Sequence, residues 1–413
     1  MSKLQELIKQ HCPNGVEYKK LGEIGTFYSG LSGKSKEDFQ DGNAKFVTYK
    51  NIYSNPQLDI KALEHVKVYD NEKQNLVREG DILFTGSSET ADECGMSSVV
   101  AVTVNENLYL NSFCFGLRLN IPQQFNIHYL KHLLRCNEVR KQIKQTASGV
   151  TRYNISKKRF ANLEIPVPPL EVQEEIVRIL DCFADYSAEL QAELQARKEQ
   201  YEYYRDMLLS FNKIGGVPWL TMNEIGTFIR GNGLQKKDFT ESGFPCIHYG
   251  QIHTYYGTFA SETISFTSQK YAQQLKKAQY GDLIIATTSE DVDGCCKAVA
   301  WLGHSEVAIS GDAYIFHHHQ NPKYISYLFQ TGLFASYKRK AYTGTKVIRV
   351  SSECMGKFVL PIPSLAEQER IVRILDKFET LVNDLSEGLP SEIAAVGEQY
   401  EYYRNKLLTF PRA

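Results

Sequence analysis

The sequence predicts an α+β fold in which two similar globular domains are separated by two long helices. The first observation behind this prediction is a repeated helical stretch, because Ile176 to Asp181 returns letter for letter as Ile371 to Asp376. The second is that weaker repeats run through the rest of the 413-residue chain. The third is a pair of proline-rich segments, residues 166–169 and 361–363, that precede the two helical stretches.

The repeats in the globular sequence define two units of similar length. Residues 21–27 resemble residues 222–228, and residues 80–89 resemble residues 281–290. Two such units are too large and too few for a solenoid, so they indicate a pseudo-dimer within one chain. The predicted boundaries are a first domain with an N-terminal helix at 1–165, a helical region at 166–213, a second domain at 214–360 and a second helical region at 361–413.

Each globular domain contains short runs rich in Val, Ile, Tyr, Phe and Thr, separated by turn residues. The runs at 45–49, 81–85, 97–104 and 113–119 predict strands of a mixed or antiparallel sheet. Residues 127–145 and 322–339 have helical periodicity, so helices are expected near the end of each domain.

The two helical regions carry apolar residues at alternating steps of four and three, which is the heptad pattern of a coiled coil. A helix over residues 170–211 would be roughly 60 Å long and needs a partner, which the second copy supplies. The predicted heptad positions are Ile176, Leu180, Phe183, Leu190, Leu194, Ile371, Leu375, Phe378, Val382 and Leu385.

The starts and lengths of the two helices differ. Ser364 and Glu367 predict a capping box for the second helix, whereas Pro169 sets the start of the first. Pro390 predicts a break in the second helix. Residues 187–194 of the first helix are a tandem of two tetrapeptides, and each four-residue block adds about 6 Å, close to two base-pair steps of DNA.

Length, composition and cysteine usage predict a cytoplasmic protein without a membrane segment. No apolar run approaches the roughly 20 residues of a membrane span, and the N-terminus does not resemble a signal peptide. The nine cysteines are scattered without a CxxC pair, which favours reduced thiols over disulfides or a metal site.

The charge is distributed unevenly along a chain whose net charge is only −1. Residues 170–211 carry −6 and residues 364–410 carry −4, which leaves +9 for the rest. Acidic helices joined to basic globular domains suit a DNA-binding protein whose helices contact other proteins.

Basic segments without any acidic residue occupy corresponding places in the two domains, at 141–159 and 338–349. They are either solvated faces or phosphate contacts, and we favour phosphate contacts. The predicted contacts are Thr151, Arg152, Lys157, Lys338, Arg339, Lys346 and Arg349, with Lys34, Lys236 and Lys237 as further basic candidates.

Two further kinds of segment are candidates for base recognition. Asn and Gln can bind adenine bidentately, and Lys can bind guanine, although the neighbouring tyrosines are equally compatible with a core. Hydroxyl-rich loops after the Gly-Asp turns are equally compatible with plain turns. The candidates are Tyr49, Lys50, Asn51, Tyr53, His248, Gln251 and His253 in the first kind, and Ser87, Ser88, Thr288 and Ser289 in the second.

The sequence offers no recognisable catalytic or cofactor motif. There is no P-loop and no GxGxxG segment after a strand. Residues 321–324 are similar to a loop of adenine methyltransferases but lack its second proline, so a turn is the preferred interpretation. The three histidines at 317–319 are adjacent, and neighbours on a strand point to opposite faces, so we predict no metal site.

The repeated motifs resemble those of the specificity subunit of type I restriction–modification enzymes. The resemblance rests on the Pro-x-Pro segments, the repeated helical motifs that begin at Gln173 and Gln368, the Tyr-Glu-Tyr-Tyr-Arg ends of the helices, and residues 22–25. It implies two target-recognition domains, each reading half of a split DNA site, joined by helices that pair as an antiparallel coiled coil. It also implies two methyltransferase subunits and restriction subunits as partners, which would carry S-adenosylmethionine, ATP and Mg, with no cofactor on this chain.

Three hypotheses follow: a non-catalytic DNA-reading subunit, which we prefer, a stand-alone bipartite DNA-binding scaffold or regulator, and an enzyme with an unrecognised active site. Co-purification of a methyltransferase subunit separates the first from the second. Methyl transfer by the isolated chain would favour the third.

Overall fold

The computed structural model describes residues 3–211, 216–383 and 388–413. The first globular region contains α1 (Lys3–His11), β1 (Tyr18–Lys20), α2 (Leu21–Ile24), β2 (Gly25–Ser29), β3 (Ala44–Val47), α3 (Tyr49–Ser54), β4 (Leu63–Val66), β5 (Ile82–Thr85), β6 (Ser87–Ser88), β7 (Ser97–Val99), β8 (Leu108–Leu110), β9 (Cys114–Leu119), α4 (Ile127–Leu133), α5 (Asn137–Thr146), β10 (Ala147–Ser148), β11 (Tyr153–Ile155), α6 (Lys157–Phe160) and β12 (Glu164–Pro166).

The long helix α7 (Leu170–Leu208) follows, and the second globular region then repeats the first. Its elements are β13 (Trp219–Thr221), α8 (Met222–Ile225), β14 (Gly226–Arg230), β15 (Phe239–Thr240), β16 (Phe244–Ile247), α9 (Tyr249–Thr254), β17 (Phe259–Ala260), β18 (Ser265–Thr267), α10 (Gln269–Ala272), β19 (Lys277–Ala278), β20 (Leu283–Ala286), β21 (Thr288–Ser289), β22 (Ala298–Trp301), β23 (Val307–Ile309), β24 (Ala313–His318), α11 (Pro322–Leu328), α12 (Gly332–Ala341), β25 (Ile348–Arg349), α13 (Ser352–Gly356) and β26 (Val359–Pro361). The helices α14 (Leu365–Asn383) and α15 (Leu389–Leu407) end the chain.

The chain forms two compact units, and the two boundaries between them lie inside α7 and inside α15. Unit 1 comprises Met1–Gln191 with Glu392–Ala413, and unit 2 comprises Ala192–Ser391. Each unit therefore contains one globular region, the first part of the helix that follows it and the last part of the other helical region. The domain boundaries predicted from the sequence stay predictions.

The sheets of the two units correspond. Unit 1 has a sheet in the order β2-β9-β5-β7 and a second in the order β4-β3-β8, and unit 2 has the equivalents β14-β24-β20-β22-β17 and β15-β18-β16-β23-β19. Most pairs are antiparallel, but β3 pairs with β8, β16 with β23, and β17 with β22 in parallel. The predicted mixed sheet is therefore confirmed, although each unit divides it into several small sheets.

The hydrophobic core of unit 1 continues from the globular region onto the helices. Ile176 and Leu180 of α7 are fully buried in the same cluster as Phe84 and Phe115 of the sheet. Unit 2 repeats this arrangement, because Ile371 and Leu375 of α14 pack with Phe316. The heptad face of each helix is thus partly occupied by the helix's own globular region.

Side-chain contacts between the helices of each unit show how the helices pair. In unit 1, Phe183 stacks on Tyr403, and the Tyr186 hydroxyl donates to Glu392 at 2.6 Å. The residue number on the second helix therefore decreases as the residue number on α7 increases. This pairing is antiparallel. Leu190 and Val382 are buried and Leu194 is half-buried, whereas Leu385 lies outside the described residues.

Several local predictions need correction. Each predicted domain helix is in fact two helices, α4 with α5 and α11 with α12, because the chain turns at residues 134–136 and 329–331. The segment beginning at Tyr49 is a helix and not the end of a strand. The capping box is only half formed, because both Glu367 carboxylate oxygens accept from Arg370. The predicted break before Pro390 falls partly on residues 384–387, which lie outside the described residues.

In each unit, an aspartate of the long helix forms a hydrogen bond with the globular region. The two aspartates occupy equivalent positions in the repeat. In unit 1, His132 of α4 is 2.7 Å from Asp181 of α7 through Nε2 and 2.9 Å from the Tyr400 hydroxyl through Nδ1. In unit 2, Tyr327 donates to Asp376 at 2.8 Å. None of the helices in the described parts of the chain is long and apolar enough to cross a membrane.

Candidate nucleic-acid interface

Each unit contains a β-hairpin with a glycine in its exposed tip. In unit 1 it joins β10 to β11, and its Gly149 has φ +148°, with space so tight that a Cβ atom would lie 2.0 Å from the Arg152 carbonyl oxygen. In unit 2, Gly344 has φ +99° and a Cβ atom there would lie 2.1 Å from the Val347 carbonyl oxygen. Both glycines have a positive φ and no room for a Cβ atom, so any other residue at either tip would strain the turn.

The hairpin of unit 1 lies beside the hydroxyl-rich loop, because β11 pairs with β6. The two elements and α3 enclose a cleft of about 510 Å³. The cleft brings together six of the residues predicted to contact DNA, namely Tyr49, Tyr53, Ser87, Ser88, Thr151 and Arg152.

Aromatic rings and one cation shape this cleft. Tyr49 and Tyr53 stack with their centroids 6.2 Å apart, and the Tyr49 hydroxyl donates to the Ser87 carbonyl oxygen at 2.8 Å. The Arg152 guanidinium lies 5.1 Å from the ring centroid of Phe113 and donates to the Ser87 hydroxyl at 3.1 Å. Because Phe113 is exposed, the cation is held on an aromatic face at the protein surface.

Sequence analysis missed three residues that line the cleft, Glu89, Glu93 and Phe113. The Glu93 carboxylate accepts hydrogen bonds from the hydroxyls of Tyr53, Ser88 and Thr90. The Tyr53 bond raises the pKa of Tyr53, and the same bond with its two companions lowers the pKa of Glu93. Sequence patterns gave no signal for these roles, since Glu93 stands in an irregular loop and Phe113 directly precedes a strand.

Unit 2 places a different side chain on the equivalent backbone carbonyl. The Nε2 atom of His253 is 2.9 Å from the Thr288 carbonyl oxygen, where unit 1 has the Tyr49 hydroxyl. A carbonyl can only accept, so Nε2 carries the proton. Thr288 and Ser289 form β21, which pairs with β25 of the second hairpin.

Three predicted base-recognition residues have their polar groups engaged inside the domains. Asn51 is 3% exposed, and its amide donates to the carbonyl oxygens of Asp59 and Ala62. Gln251 donates to Ser265 and accepts from the backbone of His248. The His248 ring is buried and caps α9 through Nδ1. The structure gives all three a role in holding the fold, which takes their polar groups away from a base.

Two lysines that were predicted to contact phosphate have their ammonium groups bound within the protein. The Lys338 ammonium group donates to the carbonyl oxygens of Asp293 and Cys295 at 2.6 and 3.2 Å, and its side chain is buried. Lys34 pairs with Glu72 at 2.5 Å. Both were predicted from charge alone, and charge cannot show that a lysine amine is turned inward.

The comparison with known proteins follows the same two-part division. The model of the family described as type I restriction modification DNA specificity domain matches residues 13–199 and again residues 217–395. The chain belongs to this family.

Two relatives and one solved structure are similar to this chain over most of its length or over a long part of it. The specificity subunit of the Escherichia coli enzyme EcoR124I/EcoR124II is 35% identical over 270 residues, which are 61% of this chain and 65% of that subunit. A putative type I restriction enzyme specificity subunit of Haemophilus influenzae is 27% identical over 96% of each chain. A structure from a study of complex assembly and conformational transition of the type I R-M system has a TM-score of 0.65 at 16% identity, covering 96% of this chain and 98% of that one. The last likeness shows a shared fold.

The exposed cations of the two specificity domains remain candidate phosphate contacts. Lys157 extends over the Phe115 ring at 5.6 Å and donates to Ser29. Arg339 and Arg349 each have one loose carboxylate neighbour, Asp293 at 3.8 Å and Asp312 at 3.6 Å. Lys50, Lys236, Lys237 and Lys346 are also exposed. These roles stay predictions.

The histidines at 317–319 alternate as strand geometry requires. His317 is exposed and 2.6 Å from Asp282, His318 is buried, and His319 is exposed. Across the described residues, no group of three or more His, Cys, Asp or Glu side chains is placed to hold a metal ion.

Proposed function

We propose that each specificity domain reads one half of a bipartite DNA site through its glycine-tipped hairpin and the adjoining hydroxyl loop. The observation that carries this proposal is the cleft of the first domain, where Arg152 lies on the exposed ring of Phe113 beside Ser87. An arginine held on a ring is ordered before binding, so it loses little side-chain freedom on contact with a base or phosphate.

The two domains would read different sequences, because residues at equivalent places beside the two hairpins differ while the framework is the same. Phe113 precedes β9 in the first domain, whereas Asp312 precedes the equivalent strand β24 in the second. Arg152 lies against the first, and Arg349 lies near the second. An aromatic face offers a stacking surface, whereas a carboxylate accepts hydrogen bonds from a base edge, and this difference supports two unlike half-sites.

The helical regions would dock two copies of a methyltransferase subunit. Both helices keep nearly identical sequences and a negative charge while the globular regions have diverged, which is expected if two like surfaces bind the same partner. In this proposal S-adenosylmethionine, ATP and Mg act on partner subunits, restriction subunits complete the complex, and this chain itself performs no catalysis. The nine free cysteines fit the predicted cytoplasmic location.

The test is methylome sequencing of cells that express the methyltransferase partner with the wild-type chain, with Arg152→Ala or with no chain. The wild-type chain should produce methylation at a split motif, and Arg152→Ala should weaken or relax only the half read by the first domain. The exposed Lys270 offers a matched control, since Lys270→Ala removes a charge from α10, which forms no part of either hairpin, and should leave the motif unchanged.

Methylation without this chain would contradict the proposal, as would a motif in which Arg152→Ala alters both halves equally. A stand-alone scaffold would instead bind DNA tightly while no methyltransferase subunit co-purifies with it.

A further inference from the structure

Two adjacent cysteines lie side by side in the second specificity domain. The sulfur atoms of Cys295 and Cys296 are 3.8 Å apart, and both side chains are buried. The Cys295 thiol also faces the carbonyl oxygens of Thr287 and Ile348, at 3.5 and 3.9 Å. These carbonyls belong to the residues flanking or forming the β21–β25 ladder.

The backbone at Cys296 has a conformation that side chains avoid. Its φ is +63°, the only positive φ of a non-glycine residue in the described ranges. The equivalent residue of the first domain is Gly95, with φ +66°. The equivalence rests on the preceding cysteines, because the Cys94 thiol faces the Gly86 and Tyr153 carbonyls just as Cys295 faces those of Thr287 and Ile348. The second thiol therefore stands where the fold favours glycine.

The helix beside this site also differs between the two domains. In the first domain, Arg140 of α5 donates to the carbonyl oxygens of Asp92, Cys94 and Gly95, and a Cβ atom on Gly95 would lie 2.6 Å from Ile143. In the second domain, Lys338 holds the helix position of Ile143 and donates to the carbonyls of Asp293 and Cys295. Two of the three equivalent carbonyls are thus bound from a residue about one helical turn further along the helix. The second domain also lacks the isoleucine that a side chain at this site would meet.

A cleft in the same unit adjoins the buried pair. Its volume is about 1400 Å³, and Cys295, Cys296, Lys338 and Arg339 are among the residues that line it, together with the end of α7. The Lys338 ammonium group is a buried positive charge on this wall. It favours the thiolate, which is the reactive form of cysteine.

We propose that Cys295 and Cys296 form a vicinal dithiol site that oxidants of the peroxide class convert to a disulfide. Thiolate attack by Cys295 on hydrogen peroxide breaks the O–O bond and gives a sulfenic acid and, after protonation, one water. Attack by Cys296 on that sulfur then forms the S–S bond and releases the second water. Two thiols are oxidised and one peroxide is reduced.

The electrostatics assign the order of attack. A hydrogen bond from Cys296 lowers the pKa of the Cys295 thiol against the effect of burial, and Lys338 lowers it further. The same pairing raises the pKa of Cys296. Cys295 is therefore the nucleophile towards peroxide and Cys296 the resolving thiol.

The disulfide should be easy to reduce and should disturb its neighbours. Adjacent Cα atoms are about 3.8 Å apart, below the roughly 4.4–6.8 Å usual for a disulfide, so the bond is strained and readily reduced. Oxidation also removes the Cys295 S–H donor from the Thr287 and Ile348 carbonyls. The β21–β25 ladder should then exchange its amide hydrogens faster.

The test uses the full chain with Cys182→Ser, since Cys182 is the exposed thiol that would otherwise link two molecules. After hydrogen peroxide, the protein is treated with iodoacetamide and digested with trypsin. Residues 278–297 contain no other cysteine and lie between Lys277 and Lys297, so both thiols fall on one peptide. We expect this peptide to be about 2 mass units lighter and unalkylated, and to take up two alkyl groups after dithiothreitol.

Cys296→Gly is the matched control, because it restores the residue that the first domain has at this φ and should fold normally. It should leave Cys295 singly alkylated or oxidised, with no disulfide. A wild-type peptide that stays doubly alkylated, or that gains oxygen on both sulfurs without losing hydrogen, would overturn the proposal. The lighter peptide with unchanged hydrogen exchange over residues 343–350 would overturn its coupling to the ladder. None of these readouts depends on DNA, so they are independent of the proposed function.

Discussion

Phe183 stacks on Tyr403, with ring centroids 5.4 Å apart and planes inclined by 23°. The equivalent residues of the other repeat, Phe378 and Tyr204, stack at 5.6 Å and 25°. The same contact between helices is therefore built twice, once in each unit. Heptad spacing placed Phe183 and Phe378 on the apolar face, but only the fold paired each with a tyrosine near the end of the other helical region.

The stacking energy of this contact can be measured directly. A double-mutant cycle with Phe183→Leu and Tyr403→Leu should give a coupling of about 0.5–1.5 kcal/mol in the free energy of unfolding, beyond the loss of buried area. Urea unfolding of the four proteins supplies the values. A cycle with Tyr402, which is exposed and on the same helix, should give a coupling close to zero.

Asn51 should matter for stability and not for base recognition. Asn51→Ala leaves the carbonyl oxygens of Asp59 and Ala62 without their donors, so we expect a loss of about 1–3 kcal/mol in the free energy of unfolding. The methylation motif should be unchanged wherever the variant is folded. Lys50→Ala, one residue earlier and exposed, is the control for stability and should stay within about 0.5 kcal/mol of wild type. A changed motif in Asn51→Ala would restore Asn51 as a base contact.

Salt dependence of DNA binding should separate exposed cations from buried ones. Lys346→Ala and Arg349→Ala should each lower the slope of log K against log salt by about one, because each would remove one of the proposed phosphate contacts. Lys338→Met should leave the slope unchanged, since its ammonium group is bound to two backbone carbonyls. Equal slopes for all three variants would remove the second hairpin from the phosphate contacts.

His132 should make the first unit sensitive to mild acid. Burial lowers the pKa of His132, outweighing the hydrogen bond to Asp181, and Lys131 and Arg404 act in the same direction as burial. A folded pKa below the unfolded value of about 6.5 means that the stabilisation is complete above that pH and is lost as the pH falls through and below it. Burial alone would raise the pKa of Asp181, but His132 and Lys131 hold it at about 2, so the carboxylate remains an acceptor throughout.

Hydrogen exchange of α4, corrected for intrinsic rates, is the measurement for this effect. Protection should fall between pH 7.5 and 5.5 in the wild type and stay nearly constant in His132→Gln, which keeps a neutral donor. The equivalent helix α11 is an internal control, because Tyr327 stands at the matching position and does not titrate in this range. Equal pH dependence of α4 and α11 would contradict the prediction.

The tandem tetrapeptide of α7 should set the length of the spacer. The helix runs without interruption from Leu170 to Leu208, so deletion of residues 191–194 shortens it by about 6 Å. We expect methylome sequencing to show the same two half-sites with a spacer shorter by about two base pairs. New half-site bases would show that the deletion alters the domains themselves.

Most of the candidate interface could be placed from the sequence, but not the direction of its side chains. Tyr49, Ser87 and Arg152 were selected from separate segments, and the fold brings them into one cleft. Lys338 was selected for the same kind of reason and is buried. Composition and spacing identify a basic segment, whereas the direction of one amine depends on carbonyls about 45 residues away in the chain.

The sequence alone determined the duplication, the two helical regions and the apolar face of each helix, because these are set by local periodicity and by direct comparison of the two copies. Tertiary structure decided which residues of those copies face solvent and which hold the core. It decided that the Asn51 side chain forms hydrogen bonds inside the domain and that Glu93 accepts a hydrogen bond from Tyr53. It also decided that Cys296 adopts the positive φ that Gly95 has in the first domain. These outcomes depend on contacts between distant segments, and such contacts arise only when the chain has folded.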